Sequence, residues 1–140
     1  MDDSLCLCSS LKAAAACCER ELNDALSEFD ISHCQAMILQ KIAEGKISMS
    51  TMSKEMCCHK SNVTQVVSGL EKKELITRSL QENDRRVSSL VLTRKGAVAH
   101  AELKGLLGVR AKECMNVFTP VERRTLSELL KKYVEKHRMS

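Results

Sequence analysis

At 140 residues and 15.6 kDa, the chain is long enough for one hydrophobic core but short for an enzyme carrying its own substrate pocket. No stretch approaches the roughly 18–20 apolar residues that a membrane span needs, and the acidic start at Asp2 and Asp3 argues against a secretory leader, so a cytoplasmic protein is expected. The formal net charge is +4, and two Phe, one Tyr and no Trp leave no aromatic platform for single-stranded nucleic acid.

The chain opens with apolar residues every three or four positions. Leu7, Leu11, Ala14, Cys18, Leu22, Ala25 and Phe29 predict a helix from about Ser4 to Glu28. Ser32 with Gln35 forms a capping box for a second helix ending near Gly45. Ser48 then has the place of a cap for a third helix, which breaks at Cys57-Cys58-His59.

The next helix begins at Lys60. Val63, Val66, Val67 and Leu70 fall at i, i+3, i+4 and i+7, so they share one buried face. Two helical patterns this close predict a helix-turn-helix. Ser61, Asn62, Thr64, Gln65 and Ser68 are left facing outward. Short hydroxyls and amides are the groups that bond base edges in a major groove, and Asn or Gln can make a two-point contact with adenine. Lys60, Lys72 and Lys73 stand at the helix ends, within reach of phosphates. A small polar helix in an unrelated domain would look much the same; the following segment decides.

Residues 74–80 and 87–92 are β-prone runs joined by the polar tip Gln81-Glu82-Asn83-Asp84-Arg85-Arg86. Leu90 and Leu92 point to one side, as a strand resting on helices requires. A hairpin directly after a helix-turn-helix is a wing, and paired arginines at its tip are placed to enter a minor groove or clamp its phosphates.

Beyond the wing, Thr93 caps a helix running past Leu103, Leu106 and Leu107 toward Met115, with Gly105 and Gly108 as weak points that can bend it. Thr119-Pro120-Val121-Glu122 combines a capping box with proline in the first turn. The final helix carries Val121, Leu126, Leu129, Leu130, Tyr133 and Val134. The first helix and the last two present more apolar surface than the winged core can cover, so a second copy of the chain is expected to bury it.

Charge supports this division. Residues 1–50 carry four basic and eight acidic groups; residues 51–95 and 96–140 each carry nine basic and five acidic. The positive excess therefore includes the reading unit, as phosphate neutralisation demands.

The segment Ser61-Asn62-Val63-Thr64, Leu70-Glu71-Lys72-Lys73, Leu75-Ile76-Thr77-Arg78, Asp84-Arg85-Arg86 and Leu92-Thr93-Arg94-Lys95-Gly96 resembles, in order and spacing, the DNA-binding core of the MarR family of bacterial transcription regulators. Length and flanking helices extend the likeness over the whole chain. The resemblance implies a mainly α fold with a small β-hairpin wing (α+β). It makes residues 1–140 a single domain, with dimerisation helices at 4–30 and 97–138 around a winged helix-turn-helix core at 47–96. It implies a homodimer on a near-palindromic double-stranded operator. Arg86 is then the minor-groove residue, with Asp84 shaping the wing and Arg85 beside it. Effectors in the family often lodge between the dimer helices and the winged core. The chain departs from the pattern at three places: Glu74 and Cys57 where glycines are usual, and His59 where a capping serine is common.

Eight cysteines are many for a chain expected in a reducing compartment, where free thiols are the default. Cys6/Cys8, Cys17/Cys18 and Cys57/Cys58 match neither zinc-ribbon nor thioredoxin spacing, and most cysteines read as small apolar fillers, with Cys18 and Cys34 on buried stripes. Cys8 falls where the family's hydroperoxide sensors keep a reactive cysteine, near a helix start that favours the thiolate. Lys12 and Leu22 replace the tyrosines of those sensors. Cys57-Cys58-His59 and His33-Cys34 are soft ligands without the spacing of a metal site.

The expected function is a sequence-specific DNA-binding regulator, a repressor released by a small ligand or by thiol oxidation. It needs no cofactor and no metal and catalyses no reaction. Lys60, Ser61, Asn62, Thr64, Gln65, Ser68, Lys72, Arg78, Asp84, Arg85 and Arg86 are its candidate DNA contacts. The alternative is a thiol- or metal-dependent redox protein or enzyme using the cysteine clusters, such as a peroxidase with Cys58 and His59.

Overall fold

The computed structural model describes residues 2–45, 47–56, 60–81 and 84–138, with backbone alone for Ile47, Lys60, 80–81 and 84–88. In chain order these form α1 (Ser4–Ala25), α2 (His33–Glu44), β1 (Ile47–Ser48), α3 (Met49–Glu55), α4 (Lys60–Lys72), β2 (Ile76–Gln81), β3 (Asp84–Leu92), α5 (Arg94–Met115) and α6 (Pro120–His137).

Local chemistry starts four of the helices where the sequence places their caps. Ser32 accepts from the Gln35 amide, and Gln35 answers with its side chain on the Ser32 amide. Ser48 accepts from Thr51, Thr93 from Gly96, and Thr119 from Glu122, the last with a reciprocal bond and Pro120 in the first turn. Each cap satisfies an amide that has no partner within its helix and contributes about 1 kcal/mol.

The core sits where α2, α3, α4 and the sheet meet. Ile38 and Leu39 of α2, Met52 of α3, Val63, Val67 and Leu70 of α4 and Leu90 of β3 are buried, joined by Leu26, Leu75, Ile76 and Leu103. Each such side chain contributes about 1.5–3 kcal/mol over its exposed state. The sheet is antiparallel, with β3 between β1 and β2. Ile76 pairs with Leu92 and Arg78 with Leu90, while Ile47 pairs with Leu90 on the other side.

Several elements differ from their expected form. α1 stops at Ala25 rather than Glu28, because the chain turns to insert Leu26 into the core; amides of Leu26, Ser27 and Phe29 close that turn on Asn23, Asp24 and Leu26. β1 is a third strand beside the expected hairpin, and two residues are too few to show a period. β3 begins at Asp84, not Val87, and an irregularity after Leu80 lets Gln81 pair with Asp84. α5 runs unbroken through Gly105 and Gly108. No described helix is long and apolar enough to cross a membrane.

The link from α4 to the sheet is a left-handed helix stop made without glycine. Glu74 has φ 61°. The Leu75 amide donates to Leu70 at 3.1 Å and the Glu74 amide to Glu71 at 2.9 Å, the paired bonds of a Schellman cap, with Leu70 and Leu75 both buried. A side chain at that φ costs about 1 kcal/mol. Glu74→Gly is therefore expected to raise unfolding stability by about 1 kcal/mol, less the extra chain entropy of glycine, in a urea titration. A loss of stability would show that the Glu74 side chain contributes more than its backbone costs.

Candidate nucleic-acid interface

α4 divides as its sequence requires. Val63, Val67 and Leu70 are buried, whereas Ser61, Asn62, Thr64 and Gln65 are exposed and Ser68 is half-buried. Lys72 is exposed at its last turn, and the Lys60 side chain lies outside the described residues. The exposed polar strip thus runs along one flank of a helix whose opposite flank is locked into the core.

Several contacts hold that helix in place. A Cβ on Gly69 would lie 2.8 Å from Gln35 Nε2, so α4 packs closely against α2 here and a larger residue would have to displace the Gln35 amide. Lys73 Nζ donates to Gln35 Oε1 at 3.1 Å and to the Asp30 carbonyl. Lys73, expected to reach a phosphate, instead ties the end of α4 to the start of α2. Across the other side, Lys41 and Glu55 join α2 to α3 at 3.4 Å.

The wing lies beyond the helix stop. Arg78 is engaged within the chain: its Nε and Nη2 donate to Glu71 Oε1 at 3.1 and 3.0 Å. Glu71 thereby couples the last turn of α4 to β2, a role the sequence did not signal. Both groups keep substantial solvent exposure, so the pair adds at most a few tenths to 1 kcal/mol and leaves the guanidinium able to turn outward. Asp84, Arg85 and Arg86 are the first three residues of β3, and Asp84 pairs with Gln81 at the end of β2. Their side chains, with Glu82 and Asn83 at the tip, lie outside the described residues.

Among the described residues, the thiols lie on α1, α2 and α5. Cys8 is exposed on the second turn of α1, as is Lys12 one turn on. Cys18, expected on a buried stripe, is exposed, and α1 buries none of its residues within the chain. Cys34 and Cys114 are half-buried. His33 faces Glu19 at 3.1 Å. No group of three or more His, Cys, Asp or Glu among the described residues could hold a metal ion. Cys57, Cys58 and His59, the basis of the redox-enzyme alternative, lie outside the described residues.

Comparison with known proteins gives consistent results. Residues 31–88 match the MarR family model. The chain is 30% identical over 115 residues to the HTH-type transcriptional regulator SarZ of Staphylococcus saprophyticus, covering 80% of this chain and 76% of that protein. Among solved structures, a mutant of MarR from E. coli complexed with operator DNA superimposes with a TM-score of 0.84 at 26% identity, covering 94% of this chain and 95% of that one. The transcriptional regulator BldR from Sulfolobus solfataricus gives a TM-score of 0.86 at 26% identity, covering 96% of each chain.

Proposed function

The chain belongs to the MarR family of transcription regulators, and from that membership we propose that it is a homodimeric repressor reading a near-palindromic double-stranded operator. One observation carries the reading: the exposed strip of Ser61, Asn62, Thr64 and Gln65 stands on a helix braced by the core and followed at once by an antiparallel hairpin. Such a strip fits a major groove. Ser61, Asn62, Thr64, Gln65 and Ser68 supply sequence discrimination. Lys60, Lys72, Arg78 and Arg85 supply phosphate contacts, Arg86 enters the minor groove, and Asp84 shapes the wing.

The dimer is supported by the two terminal helices. Neither α1 nor α6 buries a residue within the chain. Leu5 and Val117 are 79% exposed and Val121 68%, a quantity of open apolar surface that a second copy would cover. Twofold symmetry would then set two α4 helices about 34 Å apart, one turn of duplex. Light scattering should return twice the chain mass of 15.6 kDa.

Release by a small ligand or by thiol oxidation completes the proposal. A cleft of about 380 Å³ between α1, α2 and α5, with His33, Met37, His100 and Lys104 on its walls, offers space for a ligand between the dimer helices and α2, which packs against the reading unit.

The test is fluorescence anisotropy with duplex from upstream of the chain's own gene and with random duplex. Wild type is expected to bind both with steep salt dependence and to prefer the former. Gln65→Ala should cost about 1–3 kcal/mol on the specific site and little on random duplex. Equal losses on both would remove Gln65 from base reading; no binding to any duplex at low salt would end the proposal.

A further inference from the structure

α1 crosses α5 near the carboxyl end of α5, and the crossing is pinned by an ion pair. Arg110 Nη1 lies 3.3 Å from Glu21 Oε2. Cys18 precedes Glu21 by three residues and Cys114 follows Arg110 by four, so each thiol shares a helical face with its own member of the ion pair. At 1.5 Å per residue, the two steps along the helices differ by only about 1.5 Å. The helices therefore present Cys18 and Cys114 as the next rung of the same contact. They line one cleft of about 480 Å³ with Ala14, Cys17, Arg110 and Phe118. Within the single chain Cys114 is half-buried and Cys18 is exposed.

We propose that Cys18 and Cys114 are a dithiol site that a hydroperoxide converts into a disulfide within one chain, joining α1 to α5. The inference concerns this helix crossing and is independent of how the chain reads DNA. In the first step the Cys114 sulfur attacks the peroxide: an S–O bond forms, the O–O bond breaks, and the alkoxide leaves as alcohol with the thiol proton. In the second, the Cys18 sulfur attacks Cys114 Sγ: the S–S bond forms, the S–O bond breaks, and water departs with the second proton. The two sulfurs lose two electrons together, and the peroxide gains them. Burial first, then the charges of Cys114 and Glu19, push the Cys18 thiol up, which disfavours its thiolate and leaves the first attack on the peroxide to the other thiol of the pair.

The experiment treats the full-length protein with one equivalent of hydrogen peroxide per chain, alkylates the remaining thiols and maps tryptic peptides by mass spectrometry. The expected product joins peptide 13–20 to peptide 113–123, with two of the eight thiols lost to alkylation and the mass on a non-reducing gel still that of one chain. Cys18→Ser and Cys114→Ser should each abolish the link, and Cys17→Ser should keep it. Circular dichroism checks that the variants fold. A bond between two chains, a link surviving in Cys18→Ser, or both peptides recovered fully alkylated or as sulfinic acids would overturn the assignment. The readout involves no DNA, so failure here leaves the proposed DNA binding untouched.

Discussion

Gly96→Ala is expected to lower unfolding stability by about 3 kcal/mol, because the added methyl has nowhere to go. A Cβ at Gly96 would stand 1.9 Å from the Leu75 carbonyl oxygen and 2.9 Å from its carbon. These are backbone atoms, unable to rotate aside. The same carbonyl accepts the Thr93 amide at 3.0 Å, and the Thr93 hydroxyl donates to the Glu74 carbonyl at 2.7 Å. Making room means withdrawing the start of α5 from the helix stop after α4 and stretching both bonds. The damage falls on the junction between reading unit and terminal helices. Gly105→Ala is the control: nothing lies within 4 Å of its Cβ position, and alanine in a helix is favoured by about 1 kcal/mol. Urea titrations of both variants decide the matter. A Gly96→Ala protein within 0.5 kcal/mol of wild type would mean that the Gly96–Leu75 contact is looser than the geometry states.

Arg86→Ala is expected to weaken binding to specific and random duplex alike, by about 1–3 kcal/mol, or roughly 5- to 150-fold in Kd. The expectation rests on the position of Arg86, third in β3, at the end of the hairpin remote from the body. A cation held against a minor groove gains chiefly from phosphate charge, which all duplexes share. Removing it should also lower the slope of log affinity against log salt by about one. Gln65→Ala should show the opposite pattern, with discrimination lost and the slope kept. If Arg86→Ala leaves both affinity and slope unchanged, the wing does not touch DNA.

The contrast between these two predictions reflects what a linear chain can reveal. Helix starts were legible because a cap is settled within four residues: Ser32, Ser48, Thr93 and Thr119 each bond an amide three positions on. The buried flank of α4 was legible because a 3.6-residue period needs only the helix itself. Its polar flank followed by subtraction, and with it the candidate reading residues. The left-handed stop at Glu74 was signalled by the family resemblance, and the backbone keeps that conformation without glycine.

Other features depend on partners distant in the chain. The apolar stripe of α1 predicts a buried face but not what covers it, and within this chain α2 and α5 cover it only in part, leaving none of its residues fully buried. Strand β1 exists only because Ile47 finds Leu90, and Lys73 turns inward because Asp30 and Gln35 are folded beside it. The Glu71–Arg78 pair, the intolerance at Gly96 and the cleft shared by Cys18 and Cys114 arise the same way. Sequence alone thus determined where helices begin, which flank of each is apolar and which residues of α4 face out, since those follow from contacts within a turn. The tertiary structure decided which charges are already engaged, which glycine cannot change and which thiols share a cleft, because those depend on groups brought together only when the chain closes on itself.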